Sequence, residues 1–307
     1  MRSFEASAPG SLMLLGEYAV LYGYPALVCA IDKRINVILT QRSDNKINIK
    51  SSLGEYSTEI KNINIEQPFK FVLSVLKSYA DNLPYGFDIE ISSEFSHKVG
   101  FASSAAVTVA TLLALHKFLN INLDSVELIE KAKATIVEVQ GRGSGADVAA
   151  CVLGGIVNFT SYPLTAEKIN FNPEITVIYS GFKTKTPEAI SKVTENFKNR
   201  VEEFDAIINK IGNATQDAIS SAKENNLNNF AKAVTQNQKL MQKLGVNTHE
   251  LDDIINSLND SSYIAAAKIS GSGFGDCAVG FGKSIEIASF ESIPVKISKL
   301  GAQCEQI

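Results

Sequence analysis

The order of elements along the chain predicts an α+β fold in two lobes. A strand-rich N-terminal lobe carrying helices is expected to precede a C-terminal α/β lobe, with the active site in the cleft between them. Three observations predict this. Short β-branched-rich runs dominate as far as Ser93, helical periodicity takes over from Ser103, and strand patterns return after Tyr263. With 307 residues, 45% hydrophobic and 20% charged, the chain has apolar material for a large core.

The runs "SLMLLG", "PALVCAID", "INVILTQ", "KINIKSS" and "FDIEISS" are bounded by Gly, Asn, Asp or Ser and read as strands. One helix interrupts them. In "PFKFVLSVLKSYA" the residues Phe71, Val72, Val75, Leu76 and Tyr79 recur at helical spacing. Helices are then expected at 103–119 and 124–138, followed by a glycine-rich turn and the strands "GGIVNFT" and "ITVIYSG". Further helices are expected at 187–223, 227–244 and 248–259, then strands in "YIAAAKIS" and "DCAVGFG", and a closing helix and strand. The lobes are expected to divide at 165/166, giving domains 1–165 and 166–307.

A net charge of −4 offers no basic surface for nucleic acid, although a local cationic pocket for an anionic metabolite is compatible with it. No stretch approaches the roughly 20 apolar residues of a membrane span. Cys29, Cys151, Cys277 and Cys304 are scattered, without a CxxC pair. They read as reduced thiols, and the chain as cytoplasmic.

Three segments carry candidate chemistry. In "HKVGFASSAAVTVATLLALHKFL" small residues stand directly before a long helix, whose first N–H groups have no intrahelical partner. Those groups and the helix dipole make an anion site, while the serines read equally well as helix caps. In "VQGRGSGADVAACVLGG", Asp147 lies among small residues, as a cap or as a catalytic carboxylate. In "KISGSGFGDCAVGFG", Gly271, Gly273 and Gly275 separate two strands, as a tight turn or a ligand-contacting loop.

These segments, in this order and with "APGSLMLLGEYAVLYGYPALVCAID" ahead of them, resemble the GHMP kinases, and within that family the mevalonate and phosphomevalonate kinase branch. The resemblance spans nearly the whole chain and implies phosphoryl transfer from ATP, with Mg²⁺, to a small-molecule hydroxyl. Mevalonate is the favoured acceptor and phosphomevalonate the alternative. It implies no nucleic-acid or membrane partner and is compatible with a homodimer. By the same resemblance Lys98, Gly100, Phe101, Ala102, Ser103, Ser104 and Ala105 surround the ATP phosphates, and the Ser104 hydroxyl ligates Mg²⁺. Asp147 accepts or orients the acceptor's proton. Glu17, Tyr18, Gly145, Gly271, Ser272 and Gly273 border the substrate, with Arg142, Lys183 and Lys185 as further cationic candidates beside Lys98.

Two positions depart from the family pattern. Ser11 stands where the first motif carries Lys or Arg, and Ile136 where mevalonate kinases carry a magnesium-binding glutamate. Lys183 or Lys185 is the expected source of a replacement cation. Either Ser104 and the phosphates hold the metal alone, or the helix is offset to present Glu138. A non-catalytic nucleotide- or metabolite-binding protein on the same fold is the reading from a different class, and Asp147 with its two serines argues against it.

Overall fold

The computed structural model describes residues 1–96 and 98–307. The first strand, β1 (Ser3–Leu15), begins well before "SLMLLG" because the chain runs through Pro9 and Gly10 without turning. Opposite it β2 (Ala26–Gln41) pairs antiparallel, and the register slips between Pro9 and Ser11 and again between Met13 and Leu15. Such a bulge accommodates a proline, which has no N–H to give a ladder. Here it frees the Ser11 N–H to reach the Phe101 carbonyl at 3.2 Å, and Ser11 is fully buried.

The chain continues through β3 (Lys46–Ser51), β4 (Gly54–Glu59), α1 (Lys70–Ser78) and β5 (Phe87–Ser93). Next come α2 (Ser103–Leu119), α3 (Ser125–Gln140), α4 (Ala146–Leu153), β6 (Ile156–Ser161) and β7 (Leu164–Ile169). The second lobe comprises β8 (Ile175–Tyr179), α5 (Thr186–Phe197), α6 (Val201–Lys223), α7 (Leu227–Leu244), α8 (His249–Asn259), β9 (Ile264–Ser270), β10 (Cys277–Gly282) and β11 (Glu291–Ile293). The strand β12 (Gln303–Gln306) then returns to the first lobe and pairs antiparallel with β1.

Eight strands form the first sheet, in the order β12–β1–β2–β5–β3–β4, with the β6–β7 hairpin on the Ala26–Cys29 end of β2. All its pairings are antiparallel except β3 with β5. The second sheet, β11–β8–β10–β9, is antiparallel throughout. The division expected at 165/166 therefore falls inside β7. That strand is bonded into the first sheet, as is β12.

Two helix expectations need correction. The single helix expected over 187–223 is two, broken at Lys198, Asn199 and Arg200, all exposed, so no apolar side chain anchors a helix there. No helix follows β10 among the described residues, and only β11 and β12 do.

Apolar packing joins the lobes. Leu12, Leu14 and Leu27 of the first sheet share a core with Phe101 and with Val177, Phe230 and Phe281 of the second lobe. A separate core lies between the first sheet and helices α1 to α4, and a third packs second-lobe side chains with Tyr18 and Ala19 of the first lobe. Burial on this scale, at roughly 25 cal/mol per Å² of apolar surface, holds the cleft walls in a fixed relation. No described helix is long and apolar enough to cross a membrane. Cys29, Cys151 and Cys277 are buried and Cys304 is partly so, all as free thiols.

Candidate active site

The first wall of the cleft is the start of α2. Its N-cap is Ala102, at φ +51°, and no side chain caps it. A left-handed alanine is strained. The strain is held in place by the neighbouring residues: Phe101 is fully buried against Phe95, and its carbonyl takes the Ser11 N–H. The cap reading of the serines thus fails, since neither hydroxyl bonds a first-turn amide. The N–H groups of Ala102, Ser103 and Ser104 have no partner among the described residues, and these three side chains line the cleft. This is an open anion site of oriented donors at a positive helix end.

Facing it is the start of α4. Gly145 precedes the helix at φ +91°, a conformation open to glycine, and a β-carbon there would press on Phe159 and the Lys133 stem. Asp147 lies within the first turn, with Gly145 as the cap residue. Its Oδ1 accepts a hydrogen bond from the Ser11 hydroxyl at 2.8 Å. The carboxylate is therefore tied to β1 and is not spent on capping its own helix. Burial pushes its pKa above the usual carboxylate range, while the Ser11 hydrogen bond and the Lys183 charge pull the other way.

Lys183 enters the cleft from the loop after β8. Its Nζ lies 3.7 Å from Asp276 Oδ2 and donates to the Val99 carbonyl at 3.4 Å. Of the two lysines expected to offset Ser11, this one reaches the cleft. Lys185 is 82% exposed and pairs with Glu188 in the first turn of α5.

At the far end Glu17 and Tyr18 close the floor. Glu17 is buried and paired with Lys268 of β9, itself fully buried, and the second carboxylate oxygen of Glu17 has no partner. Desolvation lowers the Lys268 pKa and the Glu17 charge opposes that shift. Tyr18 holds φ +61°, and its hydroxyl donates to the Ser272 carbonyl at 2.6 Å, joining the first lobe to the glycine-rich loop of the second.

The structure thus brings Gly100, Ala102, Ser103, Ser104 and Ala105 to one cleft with Glu17, Tyr18, Arg142, Gly145 and Asp147. From the second lobe it adds Lys183, Gly271 and Ser272. It leaves out four expected residues. Lys98 is exposed, and its engaged groups are backbone ones: its N–H donates to the Ser96 hydroxyl at 3.2 Å and its carbonyl accepts from the Tyr179 hydroxyl at 3.3 Å. The Phe101 ring belongs to the core, Lys185 faces solvent, and Gly273 lies against Val246. Sequence reasoning missed Lys133 and Asp276, which line the same cleft. Lys133 shares the cleft-facing stripe of α3 with Ile136 and Gln140, a three- and four-residue spacing visible in sequence. Helix α3 is unbroken, and Glu138 accepts a hydrogen bond from Ser74 at 3.3 Å, so no offset presents it to the cleft.

A helix end with free amides and a carboxylate across one cleft is an arrangement that can serve phosphoryl transfer. The model for the GHMP kinases N terminal domain matches residues 69–155, and the model for the GHMP kinases C terminal domain matches 218–289. The chain belongs to the GHMP kinases, and it is a small-molecule kinase that uses ATP. The mevalonate kinase of Archaeoglobus fulgidus is 34% identical over 282 residues, covering 91% of this chain and 92% of that one. The crystal structure of the Methanococcus jannaschii mevalonate kinase superposes with a TM-score of 0.77 at 27% identity, over 91% of this chain and 90% of that one. Streptococcus pneumoniae phosphomevalonate kinase reaches the same TM-score, 0.77, at 16% identity over 99% of both chains, a likeness of fold alone.

Proposed function

We propose that the chain transfers the terminal phosphoryl group of ATP to a hydroxyl of mevalonate. One observation carries the reading: Asp147 and the uncapped end of α2 share one cleft, with Lys183 close enough for its charge to act on Asp147. Phosphoryl transfer calls for positioning and charge stabilisation far more than for covalent help. The amides of Ala102, Ser103 and Ser104 hold phosphate oxygens. The Asp147 carboxylate accepts the proton of the acceptor hydroxyl, and Ser11 fixes the rotamer in which it does so. Lys183 replaces the cation absent at Ser11.

The residues present fit a magnesium ion that arrives with the nucleotide. Mg²⁺ is commonly held by one or two protein oxygens together with phosphates and water. The Ser104 hydroxyl lines the cleft, and no group of three or more His, Cys, Asp or Glu side chains suited to a metal occurs among the described residues. Bound there, the ion would neutralise phosphate charge.

Mevalonate is preferred over phosphomevalonate because the Archaeoglobus fulgidus relative, 34% identical over most of both chains, is a mevalonate kinase, whereas the likeness to a phosphomevalonate kinase is one of fold alone. Free buried thiols suit a cytoplasmic setting.

A coupled ATPase assay with mevalonate, phosphomevalonate, homoserine and galactose tests the reading. Turnover is expected with mevalonate, and exclusive turnover of another acceptor overturns the choice. Asp147→Asn should lower kcat by roughly two or more powers of ten while ATP binding persists. The same variant should melt at a higher temperature. The raised pKa means that the folded state binds the proton more tightly than the unfolded one. Stability is therefore lost as pH rises from about 3.8 through the raised value, and neutral Asn recovers it. Turnover within about threefold of the parent would reduce Asp147 to a structural role.

A further inference from the structure

The cleft holds one more carboxylate, which the reading above does not use. Asp276 lies in the turn between β9 and β10 at φ +74°. Its N–H donates to the Phe182 carbonyl at 2.7 Å, and its own carbonyl accepts from the Ser180 N–H at 2.9 Å. The residue is thereby fixed to the segment that carries Lys183. Its side chain crosses to the first lobe, where Oδ1 accepts the Gly100 N–H at 2.7 Å. The fit leaves no room: a β-carbon at Gly100 would overlap the carboxylate. The other oxygen, Oδ2, is the one that faces Lys183 at 3.7 Å.

Lys183 stands on a segment without regular structure, and a lysine side chain gives up much rotamer freedom when fixed. Its ammonium has two anchors, the Asp276 carboxylate and the Val99 carbonyl. The first is a carboxylate only 16% exposed, where an ion pair is screened far less than at the surface. Burial pushes its pKa up, while the Lys183 charge and the Gly100 N–H favour its ionised form. Where that ammonium rests decides how strongly Asp147 and a transferring phosphoryl group feel it.

We propose that Asp276 is a positioning residue that holds the Lys183 ammonium against the phosphate loop, so that the cation missing at Ser11 is supplied at a fixed place. The inference rests on the role given to Lys183 above.

Asp276→Asn tests it. The amide keeps the shape and an oxygen for the Gly100 N–H, but it removes the charge that holds Lys183. Expected is a fall in kcat of about tenfold or more, the scale of a displaced catalytic charge. The KM for mevalonate should stay within about threefold, and the rise in Tm with MgATP should be retained. In a Lys183→Met background the same substitution should cost less than about twofold, because residues acting as one unit are not additive. Equal losses in both backgrounds would overturn the proposal and make Asp276 a strut of the loop. An Asp276→Asn enzyme with unaltered kcat, beside a Lys183→Met enzyme that is crippled, would overturn it while leaving Lys183 its role. If Lys183→Met is itself fully active, the role of Lys183 falls and Asp276 loses its target.

Discussion

Ser11 is a small departure with a measurable effect on proton chemistry. Its hydroxyl replaces a long cation with a single 2.8 Å hydrogen bond to Asp147, and both that bond and the Lys183 charge act against the pKa rise that burial imposes. Removing the hydroxyl in Ser11→Ala takes away one of the two opposing influences, so the Asp147 pKa should climb further. The base is active when ionised, and the acid limb of the kcat/KM profile should therefore move to higher pH, by up to about one unit. Activity should be recovered on the alkaline side. Matching profiles for parent and variant across the acid range would show that Ser11 does not tune the base. The serine could be named from sequence as an anomaly, and the family resemblance puts its position beside the aspartate, but a hydrogen bond to a residue 136 positions along the chain has no local signal.

For the elements, the strained start of α2 is the feature to test. Ala102 lines the cleft at the mouth of the free amides, so Ala102→Glu would place a carboxylate where phosphate oxygens are expected. A ligand bound at about 100 times its Kd stabilises the native state by roughly 2.7 kcal/mol, and the variant should lose that Tm response to MgATP while remaining folded. A retained response would place the phosphates elsewhere. Helix α2 was readable because its small residues and apolar run are local signals, and Gly145 with Asp147 likewise announced the turn before α4. Other elements gave no such signal. The strands "GEYSTE" and "LTAEKI" lie at sheet margins with exposed polar faces, so the alternation of apolar side chains that marks a strand is weak. Beyond β10 the expected closing helix does not form: Ile285 and Ile287 stand two residues apart, off a helical repeat, and with Phe290 they are only partly buried against the second-lobe core. Lys183 and Asp276 lie in irregular loops, and the meaning of each depends on Val99 and Gly100, more than 80 residues upstream.

Across the whole molecule the two lobes are joined by an apolar core and by one buried ion pair, Glu17 with Lys268. Breaking such a pair from one side leaves an uncompensated charge, at a cost of about 3–5 kcal/mol. Lys268→Met should therefore lower the melting temperature by several degrees. Calorimetry should still show a single transition, because the shared core couples the lobes, and adding Glu17→Gln should restore part of the loss. Two separated transitions in the single variant would mean that the ion pair, and not the core, makes the lobes melt together. The last connection has a consequence for biosynthesis. The outer edge of β1 is closed by β12, so β1 waits until residues 303–306 have been made before the free N–H and C=O groups of that edge are paired. Throughout that interval the nascent chain presents an open β-edge, the feature that invites pairing with a foreign strand. Synthesis of this protein thus carries a window of aggregation risk that closes when β12 docks.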